Sequence, residues 1–266
     1  MKRSLLLVLL CSIGLLARAE KEKKEDYFDI DIMAQKLGPM KDMRLETIVD
    51  SLKAGCTTEL ETLRALYAWE AHFVTFDCKA QRNPDKNSGS ATVALMTRKT
   101  NAEGYANLFK AMCDIAGIKC NVVAGVYRRG TNAIGDFEAA ERQYWNVAEL
   151  KGTQYLVDAC LGAGYTDEKI KTFTTEYTDA WWLSTRTLFA LTHFPDSAQY
   201  QLLQVPVTKQ EFASAPLVSP GAIVQKKPCA KRNTGVFPRE KVAVGHGHGE
   251  LDLSIKLRWQ RFILYI

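Results

Sequence analysis

The residues of this chain best placed for chemistry lie at the start of one helix and around one aspartate. In Thr100-Asn101-Ala102-Glu103-Gly104-Tyr105-Ala106-Asn107-Leu108-Phe109, apolar positions at Tyr105, Leu108, Phe109, Met112, Cys113 and Ala116 recur at helical spacing, and Gly117 stands where a helix stops. Thr100 followed three residues later by Glu103 is a capping-box pattern, which puts Ala102 in the first turn. Unpaired N–H groups and the positive end of the helix dipole converge there. A cysteine at that position would have a depressed pKa and a reactive thiolate. Alanine can use none of this.

Other thiols and bases can be weighed against that gap. Cys160 is two residues beyond Asp158, so on a strand the two face the same side at about 7 Å. Cys160 is therefore the best substitute thiol, but it lacks a base. Of the four histidines, His72 lies in a helical pattern, His193 in Thr192-His193-Phe194-Pro195, and His246 and His248 near the C-terminus. A buried structural thiol is the favoured reading of Cys160. Cys113 lies three helical turns from Ala102, about 16 Å along the axis, and cannot replace the missing thiol. In Gly245-His246-Gly247-His248-Gly249 alternate histidines could begin a metal site, but two ligands are too few. That stretch reads as a solvated loop, and no metal or cofactor is expected.

Several motifs in order carry a resemblance. Glu103-Gly104-Tyr105-Ala106 with Leu108-Phe109, Met112-Cys113, Gly117-Ile118 and Val122-Val123-Ala124-Gly125 resembles the transglutaminase-like superfamily, where Cys-Glu-Gly-Tyr-Ala opens the nucleophile helix. A His-Ala-Trp-Asn strand follows in that family, and here its counterpart is Gln143-Tyr144-Trp145-Asn146. The next family strand, roughly Tyr-Leu-Val-Asp-Ala-Thr-Trp-Gly, matches Tyr155-Leu156-Val157-Asp158-Ala159-Cys160-Leu161-Gly162. Upstream, Ala65-Leu66-Tyr67-Ala68-Trp69 and Phe76-Asp77 are similar to a family helix and aromatic-Asp pair. Downstream, Trp182-Leu183, Thr192-His193-Phe194-Pro195-Asp196 and Gln201-Leu202-Leu203 resemble an extension in the kyphoscoliosis-peptidase-like branch.

The resemblance implies a degenerate triad at Ala102, Gln143 and Asp158. A Cys-His-Asp relay needs a nucleophile, a base that takes its proton and an acid that fixes the base's tautomer. Ala102 has no proton to give and Gln143 cannot accept one near neutral pH. An amide donates two N–H groups, so Gln143 can still hydrogen-bond Asp158, which is then read as a tether between strands. The implied function is an inactive domain that binds a peptide or protein partner in the former cleft, with Glu103, Tyr105, Tyr144, Trp145 and Cys160 as cleft candidates. At helix and strand spacing, Tyr105 and Trp145 are more often core residues than contact residues. Two other readings stay open: an active cysteine protease or acyltransferase with Cys160 as relocated nucleophile, and a structural envelope protein.

The elements that must position these residues follow from periodicity and punctuation. Residues 41 to 76 read as two helices broken near Ala54-Gly55-Cys56-Thr57-Thr58, and a polar loop runs from Gln81 to Ser90. Cys120 to Tyr127 reads as a strand and Arg128 to Glu138 as a variable loop. Tyr144 to Leu150 and Gln154 to Ala159 form a hairpin turning at Lys151-Gly152-Thr153. The expected fold is α+β, with N-terminal helices packed on an antiparallel sheet in a papain-like, transglutaminase-like core. The expected organisation is a signal peptide at 1–19, a solvated lead-in at 20–40, the domain at 41–215 and an extension at 216–266, its apolar C-terminal run an edge strand, an association surface or core.

Composition bounds the rest. At 266 residues, 47% hydrophobic and 24% charged, the chain reads as globular rather than disordered. Lys2-Arg3, the apolar run from Leu5 to Leu16 and Ala17-Arg18-Ala19 read as a secretory signal, short for a membrane span, so a secreted, periplasmic or envelope location is expected. Loss of Lys2, Arg3 and Arg18 lowers the net charge from +5 to +2, which implies no nucleic-acid face. Export permits disulfides among Cys56, Cys78, Cys113, Cys120, Cys160 and Cys229; Cys113 and Cys120 are near enough in sequence to pair, or to pack as core thiols. Oligomeric state is not encoded in any feature of the sequence.

Overall fold

A computed structural model describes residues 27–129 and 134–218. The signal, the paired histidines and the C-terminal apolar run lie outside the described residues. Helix α1 (Phe28–Lys36) occupies the stretch expected as a lead-in and packs on the domain, followed by α2 (Leu45–Lys53) and α3 (Glu59–Phe73). Thr58 and Glu61 form a full capping box that starts α3, where the sequence breaks between the two expected helices. Tyr67 and Trp69 are fully buried on α3. A side chain of that size contributes about 1.5–3 kcal/mol by leaving water.

Strand β1 (Thr75–Phe76), α4 (Cys78–Arg82), α5 (Ala91–Thr97) and β2 (Lys99–Thr100) lead into the long helix α6 (Ala102–Ala116). β1 and β2 pair in parallel, Phe76 opposite Thr100, which fixes the approach to α6. α6 ends at Gly117, whose φ of 81° is left-handed, and Ile118 N–H returns to Cys113 O at 2.9 Å. Glycine meets that conformation without steric cost, so the chain reverses into the sheet.

The sheet is antiparallel, ordered β5-β4-β3-β8, from β3 (Lys119–Tyr127), β4 (Glu141–Leu150), β5 (Thr153–Val157) and β8 (His193–Pro195). Between β5 and β8 come α7 (Ala159–Ala163), β6 (Gly164–Thr166), β7 (Phe173–Thr175) and α8 (Arg186–Ala190). β4 and β5 are joined by the two-residue turn Lys151-Gly152, both with positive φ, as a tight hairpin requires. The fold is α+β, as the sequence implies.

Both sheet faces are covered. Ala148 and Leu150 join the core that holds α3 and α6, while Val123, Trp145 and Val147 pack with Ala180, Trp181 and Phe189. Gly125 lies between Gln143 on β4 and Pro195 on β8, and a Cβ there would strike Phe194 O and the Trp145 ring. Only a residue without a side chain lets three strands approach this closely. A final helix, α9 (Lys209–Ser214), is capped by Thr208 and Glu211.

Candidate functional site

The first turn of α6 is capped by Asn101, whose side chain accepts from Gly104 N–H at 3.0 Å. This corrects the expected Thr100–Glu103 capping box. Thr100 is held in β2 and its hydroxyl donates to Ser88 O at 3.0 Å, so it is not free to cap. Ala102 is fully buried, and its N–H is not left open. It donates to Gln81 Oε1 at 3.1 Å, while Gln81 Nε2 donates to Arg142 O at 2.8 Å.

One side-chain amide therefore bridges the start of α6 and β4 beside Gln143. It is presented by α4, which Asp77 caps by accepting from Lys79 and Ala80 N–H. Gln81 Oε1 sits on a helix-start N–H, where a developing oxyanion would be stabilised if the chemistry were present. The sequence placed Gln81 in a polar loop. The cap Asp77 ahead of Cys78-Lys79-Ala80-Gln81 was the signal that could have revealed a short helix.

Asp158 is the centre of a second, fully buried network. Gln143 Nε2 donates to Asp158 Oδ2 at 2.7 Å, and Leu161 N–H donates to Oδ1 at 2.8 Å. His193 Nε2 lies 3.3 Å from the same Oδ2, and its Nδ1 lies 2.9 Å from the Thr192 hydroxyl. With Nε2–H donating to the carboxylate, Nδ1 shares the Thr192 hydroxyl with the Phe189 carbonyl, to which Thr192 Oγ1 donates at 3.2 Å. The sequence left His193 in a separate segment; pairing of β8 with β3 brings it here, Tyr127 opposite His193.

The histidine that returns is sealed from solvent. It is 1% exposed, stacked on Phe189 at 3.7 Å between ring centroids, with Trp145, Trp181 and Tyr127 also around it. Burial lowers its pKa, and the Asp158 hydrogen bond opposes that only in part. A neutral imidazole with both nitrogens engaged and no solvent fixes structure.

Cys160 is not on a strand. Asp158 is the N-cap of α7 and Cys160 its second helical residue, so the same-face strand spacing expected for the two is lost. Cys160 is buried, and burial followed by the Asp158 charge pushes its thiol well up, with Gln143 opposing. That is the reverse of thiolate activation. Cys113 and Cys120 are free thiols in hydrogen-bonding contact, and burial raises Cys113 as well.

The remaining cleft candidates divide by exposure. Tyr105 and Trp145 are each 1% exposed, and the Tyr105 hydroxyl donates to Val74 O. With Cys160 they belong to the core, the reading the sequence favours for all three over a contact role. Glu103 is half-buried against Gly89, and Tyr144 is half-buried beneath the Arg142 guanidinium at 5.1 Å. Among the described residues no group of three or more His, Cys, Asp or Glu could hold a metal ion, and no helix is long and apolar enough to cross a membrane.

Residues 46–159 match the family model of the transglutaminase-like superfamily. This stretch is a transglutaminase-like domain. Kyphoscoliosis peptidase of Homo sapiens is 35% identical over 173 residues, covering 63% of this chain and 26% of that protein. Hillarin of Drosophila melanogaster is 25% identical over 206 residues, covering 73% of this chain and 25% of that one. The chain thus spans about a quarter of the length of these curated relatives. Among solved structures, a transglutaminase overlaps with a TM-score of 0.34 at 12% identity, over 57% of this chain and 36% of the other. Ala102, Gln143 and Asp158 lie within the matched residues, and His193, beyond them, joins Gln143 and Asp158 in the buried network.

Proposed function

We propose that this transglutaminase-like domain is catalytically inactive and acts by binding a peptide or protein partner after export from the cytoplasm. The observation that carries the reading is the pair of hydrogen bonds made by Gln81, which seals the N–H at Ala102 where a thiol and an oxyanion would otherwise meet. Three further features support it. Asp158 is satisfied by three donors, none of which is a usable base. Cys160, the alternative nucleophile, has a thiol raised by burial. The relative named a peptidase is matched over the stretch that holds these changes, so a peptide chain is the ligand class for a surface inherited from it. Export rests on the basic, apolar and small-residue pattern of 1–19.

The test is thiol reactivity mapped by site. Iodoacetamide at neutral pH should alkylate Cys56, Cys78, Cys113 and Cys160 more slowly than free cysteine, as their raised pKa values require. Rapid alkylation at Cys160, with hydrolysis or transamidation of a peptide substrate, would overturn the reading. Secretion is tested separately by N-terminal sequencing of the mature protein, with Glu20 the expected first residue.

A further inference from the structure

Beside the Gln81 bridge the surface holds a depression of about 320 Å³ lined by Lys79, Arg82, Lys99 and Lys171 around Phe76 and Phe173. Asp77, Cys78 and Thr75 complete its wall. Several cations elsewhere are matched closely by acids, while others, such as Arg98 and Arg128, donate to backbone carbonyls. Arg64, Lys110, Lys119, Arg129 and Arg142 each have a carboxylate oxygen at 2.5–2.9 Å. In the depression four cations gather with one acid. Lys99 reaches Asp77 only at 3.8 Å and remains 55% exposed, and Arg82 donates to the Ile170 carbonyl rather than to an acid. Among the described residues, Lys79 and Lys171 make no ion pair. The one acid in the wall, Asp77, already spends Oδ1 on the backbone of α4.

We infer that this depression binds the acidic side chains of a peptide or protein partner. Its four cations converge from three chain segments, so a negative group there meets several at once and replaces water shared among like charges. The Phe76 and Phe173 rings, 5.7 Å apart, give the depression an apolar wall. A glutamate matches both features, with an apolar stem against the rings and a carboxylate among the cations; a bare inorganic anion matches only the second. The volume holds one or two side chains and no folded element, which suits an extended segment. The inference rests on the reading of the domain as a binding module and names the chemistry of its partner.

A fluorescein-labelled peptide of alternating glutamate and leucine, titrated into the native protein and followed by anisotropy, tests this. Binding is expected at 50 mM NaCl and should weaken several-fold at 300 mM, since exposed charges are screened. Lys99→Glu with Lys171→Glu should weaken it at least tenfold, while Lys36→Glu, on the exposed face of α1, should change it by less than twofold. Unchanged thermal unfolding confirms that the doubly reversed protein is folded; if it does not fold, Lys99→Gln with Lys171→Gln takes its place. Cys78 supplies a second readout: its alkylation by N-ethylmaleimide, mapped by mass spectrometry, should slow when peptide is bound. Equal loss of binding in both variants, no binding at low salt, or displacement by equimolar inorganic phosphate would overturn the site. None of these outcomes touches the inactive-domain reading, which depends on Cys160 alkylation and turnover.

Discussion

Asp158 and His193 meet at 3.3 Å in a space where neither side chain has measurable exposure. The carboxylate also accepts from Gln143 and Leu161, so it joins β4, β8 and the start of α7 through one group. In an active relay the acid would orient a base that moves protons. Here it holds an amide and a caged imidazole.

Asp158→Ala should therefore be among the most destabilising single changes in the domain. It strands the Leu161 N–H, the Gln143 amide and His193 together, a loss of about 3–5 kcal/mol for breaking a buried charged network. Asp158→Asn keeps one acceptor but turns an NH₂ toward a donor, and should cost about half as much. Urea unfolding midpoints measure both; a loss under about 1 kcal/mol for Asp158→Ala would mean that the network contributes nothing.

Glu70 sets the response to alkali. It is fully buried on α3 with both carboxyl oxygens unpartnered among the described residues, and burial raises its pKa well above 4.5. The unfolded chain releases this proton near 4.5 while the fold retains it. Stability is thus lost as pH rises from 4.5 toward the folded value, at about 1.4 kcal/mol per unit. Glu70→Gln should remove that slope and stabilise the protein more at pH 8 than at pH 5. His193 and His72, both lowered by burial, act on the other side: stability falls as pH drops below 6.5, and Glu70→Gln should leave that limb unchanged.

Gln81 predicts how hard the old chemistry is to restore. Ala102→Cys with Gln143→His supplies thiol and base, but Gln81 still occupies the N–H at the helix start and the bridge to Arg142 O. Adding Gln81→Ala should raise the iodoacetamide labelling rate of the new thiol at least tenfold. Equal rates with and without Gln81 would show that the bridge does not control access.

Much of the scaffold was legible because its signals are local. Gly117 ends α6, Lys151-Gly152 turns the hairpin and Thr58 with Glu61 starts α3, each through a backbone need that one or two residue types meet. The site was legible only in part. Thr100 looked like the cap until β2 claimed it, and Asp158 looked like a strand residue until its side chain capped α7. His193 reaches Asp158 across 35 residues of sequence, through a strand pairing that spacing cannot show. Helix α1 escaped because its hydrophobic pattern is weak, although Ala34 is buried with Ile30 and Met33 packed on the core, and its polar anchor is a single buried cation.

That cation is Arg64, and it yields the last prediction. Its guanidinium is 1% exposed, donates to Asp31 of α1 at 2.6 and 2.5 Å and to Asp179 at 2.7 Å, and lies within 6 Å of the Tyr27, Tyr67, Tyr177 and Trp182 rings. The stacked rings favour a planar cation, but they cannot replace the bidentate carboxylate. Asp31→Ala leaves this charge buried with only the half-exposed Asp179, and should destabilise the domain by about 3 kcal/mol. A chain starting at Asp42 lacks α1 altogether and should lose at least as much, whereas the double change Asp31→Leu with Arg64→Met, which removes the charge with its partner, should recover most of the loss. Full stability of the chain starting at Asp42, measured by thermal unfolding, would show that α1 is only an appendage and that the domain begins where the sequence first suggested.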